Sequence, residues 1–234
     1  MRQGRRWAWS WAVVGVGLTV ASVAGTLVGV PVAGASSQSG ELRAAHKALL
    51  VLSDLPSGWI STKSSNPNNN VGDEQLAHCI GVPTSIISEN PPTAYSPQFQ
   101  TKSGSLTVND QVGVFPSLRN AAAEFASVAN PKTPGCMTQL ASGPLKAKLF
   151  GRTPAGVTYG TVLVSAIDRS AFPGTAGFSM SVPITSHGQT LNVTATEIFA
   201  IKGRLGQQMT FTSAGPPFSI GLEQHLAAVA LHRL

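Results

Sequence analysis

Residues Leu191 to Thr212 read LNVTATEIFAIKGRLGQQMTFT, and the reading of this stretch decides the fold. Two runs rich in β-branched and aromatic residues flank Lys202-Gly203-Arg204, the pattern of a β-hairpin. Val193, Ala195, Phe199 and Ile201 share one face of the first run, with Glu197 interrupting them, while Leu205, Met209 and Phe211 share one face of the second. A three-residue loop over Lys202 to Arg204 sets Ile201 opposite Leu205, Glu197 opposite Met209 and Ala195 opposite Phe211. A two-residue loop sends the two apolar sets to opposite faces. If one face of the sheet is buried, aligning the apolar sets fixes the register. The three-residue hairpin is therefore expected.

Working upstream, Phe178 to Ile184 reads as a strand joined to this hairpin through a turn at Ser186-His187-Gly188. Val157 to Ile167 is apolar on both faces and is expected centrally in a sheet. Between Ser105 and Phe115 the even positions Leu106, Val108, Val112 and Val114 are apolar, which predicts a half-buried strand. Asp110 falls in phase with them, and a bulge at Asn109-Asp110 is expected to turn it outward. Glu197 is expected at a water-exposed end of the sheet, with a buried polar anchor for a ligand as the functional alternative.

Helical spacing appears at both ends of the chain. Glu41 to Ser53 carries Leu42, Ala45, Leu49 and Leu52 on one stripe and stops at Asp54-Leu55-Pro56-Ser57-Gly58-Trp59. A short helix is predicted over Asp73 to Ile80, between loops at Ser64–Gly72 and Asn90–Pro97. Pro116-Ser117 opens a helix to Ala129 with Leu118, Ala122, Phe125 and Ala129 inward, ended by Pro131, Pro134 and Gly135. Phe218 to His232 closes the chain with a Leu222-Leu226-Val229 stripe. This order predicts an α+β fold, a mainly antiparallel sheet of about five to six strands with helices packed on it. No internal repeat marks a second domain.

Arg2, Arg5 and Arg6 precede an uncharged stretch from Trp7 to about Ala35, and Ala33-Gly34-Ala35 supplies small residues for signal peptidase. Residues 1–35 are expected to be a cleaved signal peptide and 36–234 a single domain. An uncleaved signal-anchor is the alternative, because the stretch is long enough to cross a bilayer. Pro31 and the nearby glycines argue against a continuous helix there. The whole chain carries +6, but three of its sixteen Lys and Arg lie in the first six residues. All ten Asp and Glu lie beyond residue 40, so the chain after Ala35 is at +3, spread without basic runs. That pattern lacks the footprint of nucleic-acid binding.

Cys79 and Cys136 are the only cysteines, and in an exported chain they are expected to form a structural disulfide. Their distance in sequence is unlike a Cys-x-x-Cys redox site. His78 adjoins Cys79, yet no further ligand follows at metal-binding spacing. His225 and His232 lie seven apart on one side of the last helix without acidic company, which reads as a boundary pair. Neither a metal nor a cofactor is expected.

Catalytic patterns are missing. The nearest approach to a Gly-x-Ser-x-Gly elbow is Ser219, where Pro217 stands in place of the first glycine. No Ser-x-x-Lys, phosphate loop or His-Glu-x-x-His occurs. Asp73-Glu74 suit a helix start, where acids favour the dipole. Asn192-Val193-Thr194 fits the glycosylation rule but lies in a predicted strand.

Four short motifs, Asp54 to Trp59, Cys79-Ile80-Gly81-Val82-Pro83, Pro134-Gly135-Cys136, and Pro217-Phe218 with Leu222-Glu223-Gln224, together resemble a group of exported actinobacterial proteins. The resemblance implies a PsbP-like α/β sandwich, as in mycobacterial LpqN-type lipoproteins, although the lipoprotein cysteine is absent after the apolar stretch. It implies an envelope binding or accessory role and supplies no catalytic residue.

These readings lead to a non-enzymatic, secreted or envelope binding module for a lipid or small apolar ligand. Glu197, Met209 and Asp110 are the candidate ligand-binding residues. The alternative is an accessory protein that docks on another envelope protein through a surface patch. Contact with a membrane is expected only through an uncleaved N-terminal segment.

Overall fold

The structure is a computed structural model and describes residues 35–63, 73–87, 91–143 and 155–234. Most of the expected N-terminal signal segment, through residue 34, and the expected loop at Ser64–Gly72 lie outside the described residues.

The fold is α+β, with helices packed on an open antiparallel sheet. Nine strands are found among the described residues rather than five or six: β1 (Trp59–Thr62), β2 (Thr93–Tyr95), β3 (Gln98–Thr101), β4 (Leu106–Val114), β5 (Val157–Tyr159), β6 (Leu163–Ala166), β7 (Ala176–Ser186), β8 (Gln189–Lys202) and β9 (Leu205–Ala214). Their order is β1-β3-β4-β9-β8-β7-β5, with β2 also on β4 and β6 also on β7. The additional strands are short pieces toward the two ends of the sheet, with β3 lying between β1 and β4. One of them, β2, forms within the Asn90–Pro97 segment that reads as loop. Val157–Ile167 is not central: it breaks at Gly160 into β5 and β6, which share the outer edge of β7.

The β8–β9 hairpin departs from the expected register. Lys202 pairs with Leu205, leaving a two-residue Gly203-Arg204 loop in which Gly203 takes φ +62° at the first turn position. A positive φ there suits glycine and the twist of the flanking strands. Ile198 consequently opposes Met209, and Glu197 opposes Thr210. The premise of one buried face fails, because helices cover both.

On one face lie α1 (Ala35–Ala48) and the C-terminal helix α6 (Ile220–Arg233). Leu226, Ala227 and Ala230 of α6 pack on Val108, Ile198, Met209 and Phe211, while Ala45, Ala48 and Leu49 pack on Val112 and Val114. The other face carries α2 (Asp73–Ile80), α3 (Thr84–Ile87), α4 (Leu118–Val128) and α5 (Thr133–Ser142). Leu76, Ile80, Val128 and Met137 there meet Ala176, Phe178 and Phe199. With helices on both faces, both sets of alternate residues on β8 find an interior, while on β9 Thr210 and Thr212 of the second set stay half-exposed.

Four helices differ from their sequence pattern. α1 ends at Ala48 and passes through Leu49-Leu50 into a 3-10 turn at Leu52–Asp54, so Leu52 is exposed. The buried side of α4 is Ala121, Glu124 and Val128, whereas Leu118 projects into solvent at 64% exposure. Of the predicted stripe, Phe125 and Ala129 still pack partly on the core, whereas Ala122 is exposed with Leu118. Pro134 does not terminate a helix but sits in the first turn of α5, where its missing N–H has no partner to lose. On α6 the buried line is Glu223, Leu226, Ala227 and Ala230, with Leu222 and Val229 half-buried beside it.

Cys79 of α2 and Cys136 of α5 are joined in a disulfide that ties these two helices across the second layer. No helix of the described residues is long and apolar enough to cross a membrane.

Candidate functional site

The three candidate residues separate into two interiors. Asp110 and Met209 are register partners on β4 and β9 and face α1 and α6. Glu197 points to the opposite face, beside Phe178 and Phe199.

Asp110 lies in an unbroken register from Leu106 to Val114, without the expected bulge. It is buried at 3% exposure instead of turned outward. Its Oδ2 accepts the Leu50 N–H at 2.7 Å, where the chain leaves α1. Gln207 Nε2 donates to both carboxyl oxygens, at 3.0 and 3.1 Å. Burial pushes the carboxyl up to about 6, against the lowering effect of those donors. A carboxyl so enclosed joins α1 to the sheet. Met209 beneath it is fully buried and packed, with no polar role.

Glu197 is also buried rather than at a wet sheet end, with 1% exposure. Gln208 Nε2 donates to its Oε2 at 2.9 Å, and Gln111 Nε2 donates in turn to Gln208 Oε1. Thus a file of hydrogen bonds crosses three strands, from half-buried Gln111 on β4 through Gln208 on β9 to Glu197 on β8. Glu197 Oε1 has no hydrogen-bond partner among the described residues. Burial pushes this carboxyl up to about 8, opposed by the Gln208 hydrogen bond. Burial thus favours the protonated acid at neutral pH.

The surroundings of this file are uneven. Over β7 and β8 the face is apolar and covered by the α2–α5 layer. Over β4 and β9 it presents half-exposed Asn109 and Gln111 beside Thr210 and Thr212, uncharged groups that donate and accept hydrogen bonds. The second face thus grades from a neutral polar floor open to solvent into a buried apolar wall, with Glu197 where the two meet. No cation takes part among the hydrogen bonds described for the file.

No family model matches the chain, and no curated protein sequence does either. Among solved structures it is similar to the extracellular domain of PknH from Mycobacterium tuberculosis. That likeness has 12% identity and a TM-score of 0.41, and covers 82% of this chain and 95% of the other.

Sequence reasoning singled out Glu197 and Asp110 but missed their partners. The signal was present in Gln207-Gln208: consecutive strand residues point to opposite faces, and each of these glutamines serves a carboxyl in a different interior. Glu124 on the buried side of α4 was likewise unseen, since a glutamate reads as an outward residue. His225 and His232 are exposed on α6.

Proposed function

We propose that the protein is an exported, non-catalytic binding module of the cell envelope that holds a small, uncharged, largely apolar ligand on the second face of its sheet. The observation that carries this reading is the grade from the half-exposed Asn109–Thr212 floor to buried Glu197 with its unpartnered Oε1. Buried polar atoms in native proteins are almost always hydrogen-bonded, so an acid left with one free position suits a ligand as its missing partner. The absence of charge from the floor suits a neutral ligand, and Phe178 and Phe199 offer the apolar contact. Export is supported by the N-terminal sequence and agrees with the disulfide.

Native mass spectrometry of the chain, gently purified after export from an actinobacterial host, tests the reading. A retained small-molecule adduct, displaced by added medium-chain acyl compounds, is the expected result. An unliganded mass that accepts no such compound overturns it.

A second reading rests on Val51, Leu52 and Ile60, all exposed large apolar residues near the edge strand β1. Such an edge suits docking on another envelope protein. Pull-down from an envelope extract, compared between the wild type and a variant with all three changed to Ser, separates this reading from the first.

A further inference from the structure

We infer that Glu197 serves this site as a hydrogen-bond donor through Oε1–H, and that the ligand it selects carries a neutral acceptor oxygen of the acyl ester or ketone class. The inference deepens the binding-module reading and rests on it.

The direction of the hydrogen-bond file carries the argument. Gln111 donates to Gln208, and Gln208 donates to Glu197 Oε2, so Oε2 is already an acceptor. When the acid is neutral its proton belongs on the other oxygen, Oε1, which has no partner among the described residues. A carboxylic acid kept neutral by its apolar site donates a hydrogen bond as a carboxylate cannot. The ligand atom that completes it must accept. A carbonyl oxygen does so without bringing charge into the layer, whereas a carboxylate would face Phe178 and Phe199 without a cation to balance it.

The groups around Glu197 favour the neutral form. The facing strand positions, Phe178 on β7 and Thr210 on β9, do not titrate. Among the helices of this layer, α3 and α5 bring no acid or base; α4 brings buried Glu124 with exposed Arg119, and α2 brings buried Asp73 with exposed Glu74 and His78. Any charge on the two buried acids is negative, which opposes ionisation of Glu197.

The test uses the exported chain with two probes of equal chain length, methyl decanoate and decylammonium, and follows equilibrium binding by protein NMR. Wild type is expected to bind the ester in preference to the cation. Ester binding should weaken as pH rises through about 8, where the acid ionises and its donor is lost. E197Q presents an N–H in place of the O–H, so it should keep ester binding and lose the pH dependence. E197L should bind the ester about tenfold more weakly, the usual effect of losing one such hydrogen bond. If E197L does not fold, the contrast between wild type and E197Q across pH still decides. Ester binding that is unchanged by pH and equal in all variants overturns the role of Glu197 and leaves the binding module standing. Preference for decylammonium overturns the ligand class. Failure of every probe and of any native adduct overturns both readings.

Discussion

Arg233, on the last turn of the C-terminal helix, grips Asp54 with both guanidinium nitrogens, at 2.6 and 2.7 Å across 179 residues of sequence. Arg233 Nη1 also donates to the Leu49 carbonyl at 3.0 Å, where α1 has just ended. Two helices on one face of the sheet are therefore fastened at the same corner. Partial burial alone would push the Asp54 carboxyl up. The Arg233 hydrogen bonds and charge, with the Val51 N–H, outweigh it and hold the carboxyl below its ordinary value.

Because the folded-state value of Asp54 is depressed, its stabilising contribution is complete above the unfolded carboxylate range of about 4. It is lost as pH falls through the folded value. Replacing Arg233 by Met should destabilise the fold by about 1–2 kcal/mol at pH 7, as a two-pronged, partly shielded pair warrants. Urea denaturation at about pH 7 and pH 3 checks this. A penalty that is the same at both values would show that charge is not its source.

Asp110 predicts a different asymmetry. Asp110→Ala leaves the Leu50 N–H and the Gln207 amide without their buried acceptor and should cost about 2–4 kcal/mol. Asp110→Asn should cost about 1 kcal/mol or less. Gln207 Oε1 has no partner among the described residues and can accept from the new amide after a rotation. Equal losses for the two variants, measured by chemical denaturation, would contradict the proposed geometry.

Glu197 and Asp110 together set an unusual pH trend. Both folded-state values, about 8 and about 6, lie above the unfolded range. For a raised acid the native state holds the proton longer than the unfolded chain, so stability declines as pH rises between the two values. The decline has a limiting slope of about 1.4 kcal/mol per pH unit for each group. Denaturation midpoints should therefore fall from about pH 5 to about pH 9. E197Q should flatten the upper half of that fall.

Gly177 sits where a side chain cannot. A Cβ there would lie 2.0 Å from the Glu197 carbonyl oxygen on the adjacent strand. Gly177→Ala should cost about 3 kcal/mol or more by forcing β7 and β8 apart. A variant with a melting temperature near wild type would show that the two strands can separate freely.

Reduction of Cys79–Cys136 releases a loop closed across 57 residues and should cost about 4 kcal/mol in the chain-entropy treatment. Thermal melts with and without reductant measure it. Intact masses of the exported protein test the bridge and cleavage after Ala35 in the same sample.

Much of this architecture was legible from local chemistry. The β4 pattern, Ser117 ahead of α4 and the turn before β8 each follow from residues close together in sequence. Ser117 Oγ accepts the Asn120 N–H, and His187-Gly188 both take positive φ, the conformation that a tight hairpin requires. The readings of these strands that failed have two causes. Asp110 turned outward and Glu197 at a wet end assume that an acid avoids the interior, and Met209 opposite Glu197 assumes a single buried face. Nothing within β8 or β9 announces that α2–α5, far upstream, will cover the other side. The site was half visible for the same reason: an acid among apolar residues is conspicuous, whereas its glutamine partner on another strand is not.

The adjacent glutamines of β9 bear on how that strand finds its place. In a sheet with one wet face, a slip of one residue exposes the apolar set and is penalised by water. Here the second face over β9 is only half covered, so a slip exchanges Met209 with Gln208 and also carries Phe211 to the half-exposed floor of Thr210 and Thr212. To that penalty the correct alignment adds chemical pairing. Slipped by one in either direction, one glutamine takes the other's place and the second pairing is lost, so one of the two carboxyls, Glu197 or Asp110, is stranded in its core. The buried polar pairs therefore act as the teeth of a key, and β9 is the blade that fits one lock.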